Sequence, residues 1–175
     1  MAFKIRIIRN GSELGEREAE AVKLRLMTTP EYKEYSSLLP SVKGIWWLST
    51  KGLSKYSMAV VSGGMISHTG APVTSQRIGF RPVVKISEAL FEAGDKVIMG
   101  DEEWTAIKTD EAVCDRILAE GAFSVRPESY TAFDFEGSPA ERSLIRYLSE
   151  KGMHISPSKR WRPSIGPKPV KMELS

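Results

Sequence analysis

Cysteine is almost absent from this chain: Cys114 is the only one in 175 residues. A lone thiol excludes an intramolecular disulfide and any multi-cysteine metal site. It also fits a reducing compartment, so a cytoplasmic location is expected. Histidine is nearly as scarce. His68 and His154 lie far apart in the chain, a poor start for a metal centre, and no metal or cofactor is expected. No apolar run approaches the ~20 residues that span a bilayer. The first residues, MAFKIRIIRN, lack the pattern of a secretory signal. The pair Gly63-Gly64 is not followed by the Gly-Lys-Ser/Thr of a phosphate loop, so nucleotide binding has little support. No repeat of fixed period is visible.

What remains is the composition of a folded domain. Apolar residues make up 41% and charged residues 27%, which is ordinary for a soluble globular protein. The length suits one domain with its own core. The net charge of +3 is unevenly placed. Residues 156–175 carry five Lys/Arg against one Glu, and four prolines. They read as a basic extended arm beyond a single domain over 1–155. A solvated terminus is the commoner outcome for such a tail. The alternative is an arm meeting nucleic acid or another acidic partner through Lys159, Arg160, Arg162 and Lys168, with Trp161 as a stacking group.

Alternation of apolar and basic residues predicts strands at 3–9 and 22–27. The stretch NGSELGEREAEA between them reads as solvated loop or short helix. TTPEYKEYSSLLP predicts a short helix with Thr29 as N-cap and Pro30 at its first position. Strands and turns follow from Gly44 to Ser87, with a tight hairpin at Gly63-Gly64 and one strand over 77–87. GDKVIMGDEEWTAIK, 94–108, predicts a second hairpin turning at Gly100-Asp101. TDEAVCDRILAEG, 109–121, predicts a helix with Val113, Ile117 and Leu118 on its apolar stripe. SPAERSLIRYLSEKG, 138–152, predicts another, capped by Ser138 and Glu141. Together these give an α+β fold. Trp46 and Trp47 point to opposite sides of any strand they share: one anchors the core while the other flanks a surface, or both are buried between layers.

Within this pattern, WWLSTKG…AVVSGGMISHTG…GFRPVVKIS resembles the WWLRSPG…GVRPAL signature of a domain of unknown function common in gut Firmicutes and their phages. That family is similar to C-type-lectin-like folds, which include formylglycine-generating-enzyme-like domains. The resemblance spans residues 24–152. Two departures stand out. Ser49 takes the place of the signature's arginine, and the GD…W hairpin follows the GFRP strand, a permuted order. The resemblance implies a mixed, mainly antiparallel sheet with two or three short helices, whose irregular loops bind ligands. Those loops map to 49–57 and 67–70. It thereby implies a contact surface of Trp47, Ser49, Thr50, Lys51, Lys55, Tyr56, Ser67, His68 and Thr69.

Catalytic constellations are weak. The formylglycine-generating branch uses a cysteine pair, which this chain lacks. Cys114 reads as a packed residue. Asp101, Glu102 and Glu103 sit at a turn and read as solvated. Asp134 and Glu136 share a face at strand-like spacing and could do acid–base work, although a polar strand face explains them more simply. STKGLSKYS carries the tyrosine, serine and glycine mixture of adaptable binding loops. The first reading is therefore a non-enzymatic module that recognises a protein partner. The second is a phage-encoded, anti-CRISPR-like inhibitor of a bacterial nucleoprotein complex, helped by the basic arm. The third is a hydrolase using Asp134 and Glu136.

Overall fold

The computed structural model describes residues 1–129, 131–156 and 168–170. The fold is α+β: two mainly antiparallel sheets with two short helices. In β1 (Phe3–Arg9), Phe3, Ile5 and Ile7 are buried while Lys4 and Arg6 face out. The chain reverses through Asn10 and Gly11, both at positive φ, into β2 (Ser12–Ala19). This corrects the expected loop or helix. Every β2 side chain but Ala19 is exposed, so no apolar period signals the strand. Its register does: Lys4 pairs with Glu18 and Arg6 with Glu16. Opposite charges across a ladder favour pairing, and charges on an edge discourage further strands.

β3 (Ala21–Arg25) lies at the other edge of the same sheet. Helix α1 (Thr29–Tyr35) starts one residue earlier than expected. Thr28, not Thr29, is the N-cap, and its hydroxyl and the Glu31 carboxylate complete a capping box. A 3-10 turn at Ser36–Leu38 follows.

β4 (Ile45–Lys51), β5 (Ser57–Ser62) and β6 (Met65–Pro72) form a meander. Gly63 and Gly64 turn it with φ of 58° and 79°, the left-handed pair that a two-residue hairpin requires. The expected single strand over 77–87 is two. β7 (Gly79–Phe80) pairs within the β4 sheet, and β8 (Val83–Ile86) within the β1 sheet. Arg81-Pro82 is the crossing, since proline cannot donate to a ladder. β9 (Lys96–Met99) and β10 (Glu102–Lys108) form the expected hairpin about Gly100-Asp101.

The helix expected over 109–121 is absent. Glu111–Cys114 is β11 and Ala119–Glu120 is β12, again in different sheets. All four β11 residues are buried in mid-sheet. A short strand covered on both faces has no period-two signature, so its apolar run imitates a helical stripe. Helix α2 (Pro139–Glu150) is as expected. Ser138 caps it, and Leu144, Ile145 and Leu148 are buried. β13 (Lys168–Pro169) adds to β12.

The seven-stranded sheet runs β2-β1-β9-β10-β11-β8-β3, and the six-stranded sheet β13-β12-β7-β4-β5-β6. Both tryptophans of β4 are buried, Trp46 at 2% and Trp47 at 0% exposure. They enter different cores. Trp47 packs with Phe80 and Phe123 in the larger cluster, which also holds Trp104 and Leu144. Trp46 joins Met27, Leu48, Val61 and Val113 under α1.

Candidate binding surface

At the far end of β4 the chain makes the irregular loop 52–56 before returning as β5. This loop is tied to β6. Leu53 N–H donates to the His68 carbonyl at 2.9 Å, and Ser54 N–H to that of Thr69 at 3.1 Å. The Ser57 hydroxyl donates to the carbonyls of Ser54 and Thr69. Such close packing requires glycine at two points. A Cβ on Gly52 would stand 2.3 Å from Ser57 Oγ, and one on Gly70 2.5 Å from the Met58 carbonyl oxygen. The segments 49–57 and 67–70 thus meet at one end of the sheet, although one is a hairpin loop and the other a bulged strand.

Their side chains divide into two groups. Trp47 is not on the surface. It is fully buried, and its indole nitrogen donates to the Gly121 carbonyl at 3.0 Å. Ser49 and Thr50 turn toward the entry to α1. The Ser49 hydroxyl meets the carbonyls of Leu26 and Met27, and that of Thr50 accepts the Thr29 N–H at 2.9 Å. Lys51, Lys55, Tyr56, His68 and Thr69 are exposed, and Ser67 is half-buried. Lys51 Nζ lies 4.4 Å from the centre of the Phe133 ring, and Lys55 Nζ 4.9 Å from that of Tyr56. Neither lysine makes an ion pair among the described residues. Leu53 at the loop tip is 84% exposed.

Among the described residues β6 is the edge of its sheet and pairs only with β5. Its sequence, MISHTGAP, has no Lys, Arg, Asp or Glu, and Met65 is 76% exposed. Edge strands left uncharged offer backbone groups to an incoming strand.

Further clefts lie elsewhere among the described residues, and two of them bear on function. The larger, of ≈ 640 Å³, is lined by Pro40, Lys96, Glu102, Asp115 and Arg116 among others. Glu102 corrects the expectation of a solvated DEE turn. It is buried, takes a two-bond clasp from Arg116 and accepts the Tyr147 hydroxyl. Burial works against the Arg116 charge, but Glu102 keeps its guanidinium above the usual range. Lys96 and Thr105 both bond Asp115. These four charges neutralise one another and tie β9, β10 and α2 together, while the exposed Asp101 and Glu103, which also line the cleft, leave it negative.

The smaller cleft, of ≈ 310 Å³, lies between α1 and the β5–β6 turn. The Tyr32 hydroxyl donates across it to the Gly64 carbonyl at 2.9 Å, and the Tyr32 ring meets Trp46 edge-on. At its floor is Arg81, 2% exposed, whose guanidinium stands 5.1 Å from the Trp46 ring centre. Arg81 was not singled out from the sequence. The available signal is an arginine wedged between buried positions in GFRPVV.

Asp134 stands in irregular chain and Glu136 in a turn, neither on a strand, so the shared strand face is absent. Cys114 lies on β11, and burial pushes its thiol up to about 12. His154 is exposed. Lys159, Arg160, Trp161 and Arg162 lie outside the described residues, as does the side chain of Lys168. Among the described residues no helix is long and apolar enough to cross a membrane. No family model, no curated protein and no solved structure matches the chain.

Proposed function

We propose that the chain is a non-enzymatic binding module on a C-type-lectin-like scaffold, and that it recognises a protein partner by adding an extended segment of that partner to the outer edge of β6. The support is a contrast between two edges. β2 and β6 each have eight residues and each end a sheet. β2 carries Glu13, Glu16, Arg17 and Glu18, whereas β6 has no formally charged residue. A strand added to β6 gains main-chain hydrogen bonds along the edge, and its side chains read the neighbouring surface.

That surface suggests the segment's chemistry. Met65 and Leu53 offer exposed apolar contacts. Lys51 ends β4 and Lys55 sits in the loop that follows, a stretch with no acidic residue. The fitting occupant is an extended segment carrying apolar and acidic side chains.

The test is site-directed photo-cross-linking in the native host, with the reactive residue in place of His68 on β6 or of Glu16 on β2. One discrete protein adduct from position 68, lost when Met65→Lys is added, and none from position 16, is the expected result. Adducts from both edges, or from neither, would refute strand addition at β6.

A further inference from the structure

The cleft between α1 and the β5–β6 turn contains a charge that the protein does not balance. Arginine stays protonated at any physiological pH. Arg81 is nearly sealed from solvent, where an uncompensated charge is costly. Its Nε donates to the Cys114 carbonyl at 2.7 Å, and its Nη2 to those of Pro40 at 2.9 Å and Asp115 at 3.4 Å. These are dipoles, not charges. Arg81 makes no ion pair among the described residues, and the nearby Asp115 carboxylate is held by Lys96 and Thr105. Nη1 has no acceptor among the described residues, and Arg81 lines the cleft.

A second donor lines the same cleft. The indole nitrogens of Trp47 and Trp104 bond the Gly121 and Met99 carbonyls. That of Trp46 has no acceptor among the described residues, and Trp46 lines the same cleft. Trp46 is 2% exposed.

We propose that this cleft binds a carboxylate carried on a small apolar body, with Arg81 and Trp46 as its donors. The ligand class follows from the lining. Both free groups are donors only, so the ligand presents acceptors. Arg81 is the one charged residue of the lining, which matches a single negative charge. A phosphate dianion would call for further cations or a cluster of backbone N–H groups. Leu39, Val42 and the Tyr32 ring supply apolar contacts, and the cleft's volume suits a small molecule or one terminal residue. The site lies at the opposite end of β4 from the Lys51–Tyr56 loop, so it stands or falls separately from strand addition at β6.

The test is a nuclear magnetic resonance titration of the whole chain with sodium benzoate and sodium butyrate. Benzamide and inorganic phosphate serve as comparisons. Both carboxylates should shift the Trp46 indole and Arg81 Nε–H signals saturably, and benzamide and phosphate should not. Arg81→Gln should weaken benzoate binding about tenfold or more. Because Arg81 also holds three carbonyls, that variant could lose its fold, and Ser41→Glu provides the alternative. Ser41 lines the cleft and is exposed. A glutamate there supplies the missing charge internally, so it should raise Tm and weaken benzoate at least about tenfold, while Ser41→Gln does neither. An N-acetyl dipeptide ending in phenylalanine, as the free acid, distinguishes the source. Tighter binding than benzoate points to a polypeptide C-terminus, and equal or weaker binding to a free small acid. No saturable shift with either carboxylate up to ~50 mM, an equal shift with benzamide, or a response to phosphate alone would overturn the proposal.

Discussion

Trp46 and Trp47 are neighbours in the chain with different duties. Trp47 fills the larger core and satisfies the buried Gly121 carbonyl. Trp46 packs against Tyr32 and keeps a free N–H. Replacing either with phenylalanine removes a similar volume, but only Trp47→Phe leaves a buried carbonyl without its donor. An unsatisfied buried group costs about 1–3 kcal/mol. Trp47→Phe is therefore expected to destabilise more than Trp46→Phe by about that amount, measured as the shift in urea-unfolding free energy at constant m. Equal losses would show that the indole bond adds nothing beyond packing. The alternation rule placed the two rings on opposite faces correctly. It could not say that both faces are covered, because Met27, Val83, Ile107 and Val113, which close the second face, come from other elements.

At the element scale, capping and turn chemistry can be tested directly. Thr28→Ala removes the oxygen that accepts the Glu31 N–H and should cost about 1 kcal/mol. The loss should appear as a lower midpoint in chemical denaturation, and Ser at position 28 should restore most of it. An unchanged midpoint would assign the start of α1 to packing alone. Elements with strong local signals were legible in the sequence: the Gly63-Gly64 hairpin, the Gly100-Asp101 hairpin, α1 to within a residue, and α2. Those that failed share a cause. β2 is exposed nearly throughout and β11 is buried throughout, so neither alternates. The strand over 77–87 divides because its two halves find partners in different sheets, which no local pattern records. The loop end was legible as a cluster, since 49–57 and 67–70 do meet. The inward turn of Ser49 and Thr50 was not, because their partners Leu26, Met27 and Thr29 precede them by more than twenty positions.

For the whole molecule, part-buried ion pairs link distant parts of the chain. Arg25 on β3 grips Glu31 of α1 and Glu111 of β11. Burial alone would raise both carboxyl groups. The bonds and charge of Arg25 overcome it and hold both below the usual carboxylate range, and Arg9 does the same for Asp95. Depressed values mean that this stabilisation is present above the unfolded pKa of about 4 and is lost as pH falls through the folded values. Thermal melts should accordingly show Tm declining as pH drops below about 4. In Arg25→Met the decline should be shallower, since Glu31 and Glu111 no longer bind protons more weakly than in the unfolded chain. Parallel curves would remove this network from the acid response.

The crossings at Arg81-Pro82 and between β11 and β12 also have a consequence for synthesis. Neither sheet comes from an uninterrupted piece of gene. β1 leaves the ribosome early, yet its neighbour β9 exists only once Val97 has been made, and the opposite edge strand β3 must wait for β8. A nascent chain halted at mid-length therefore holds strands still awaiting their mates, and the seven-stranded sheet closes only once β9, β10 and β11 have been made.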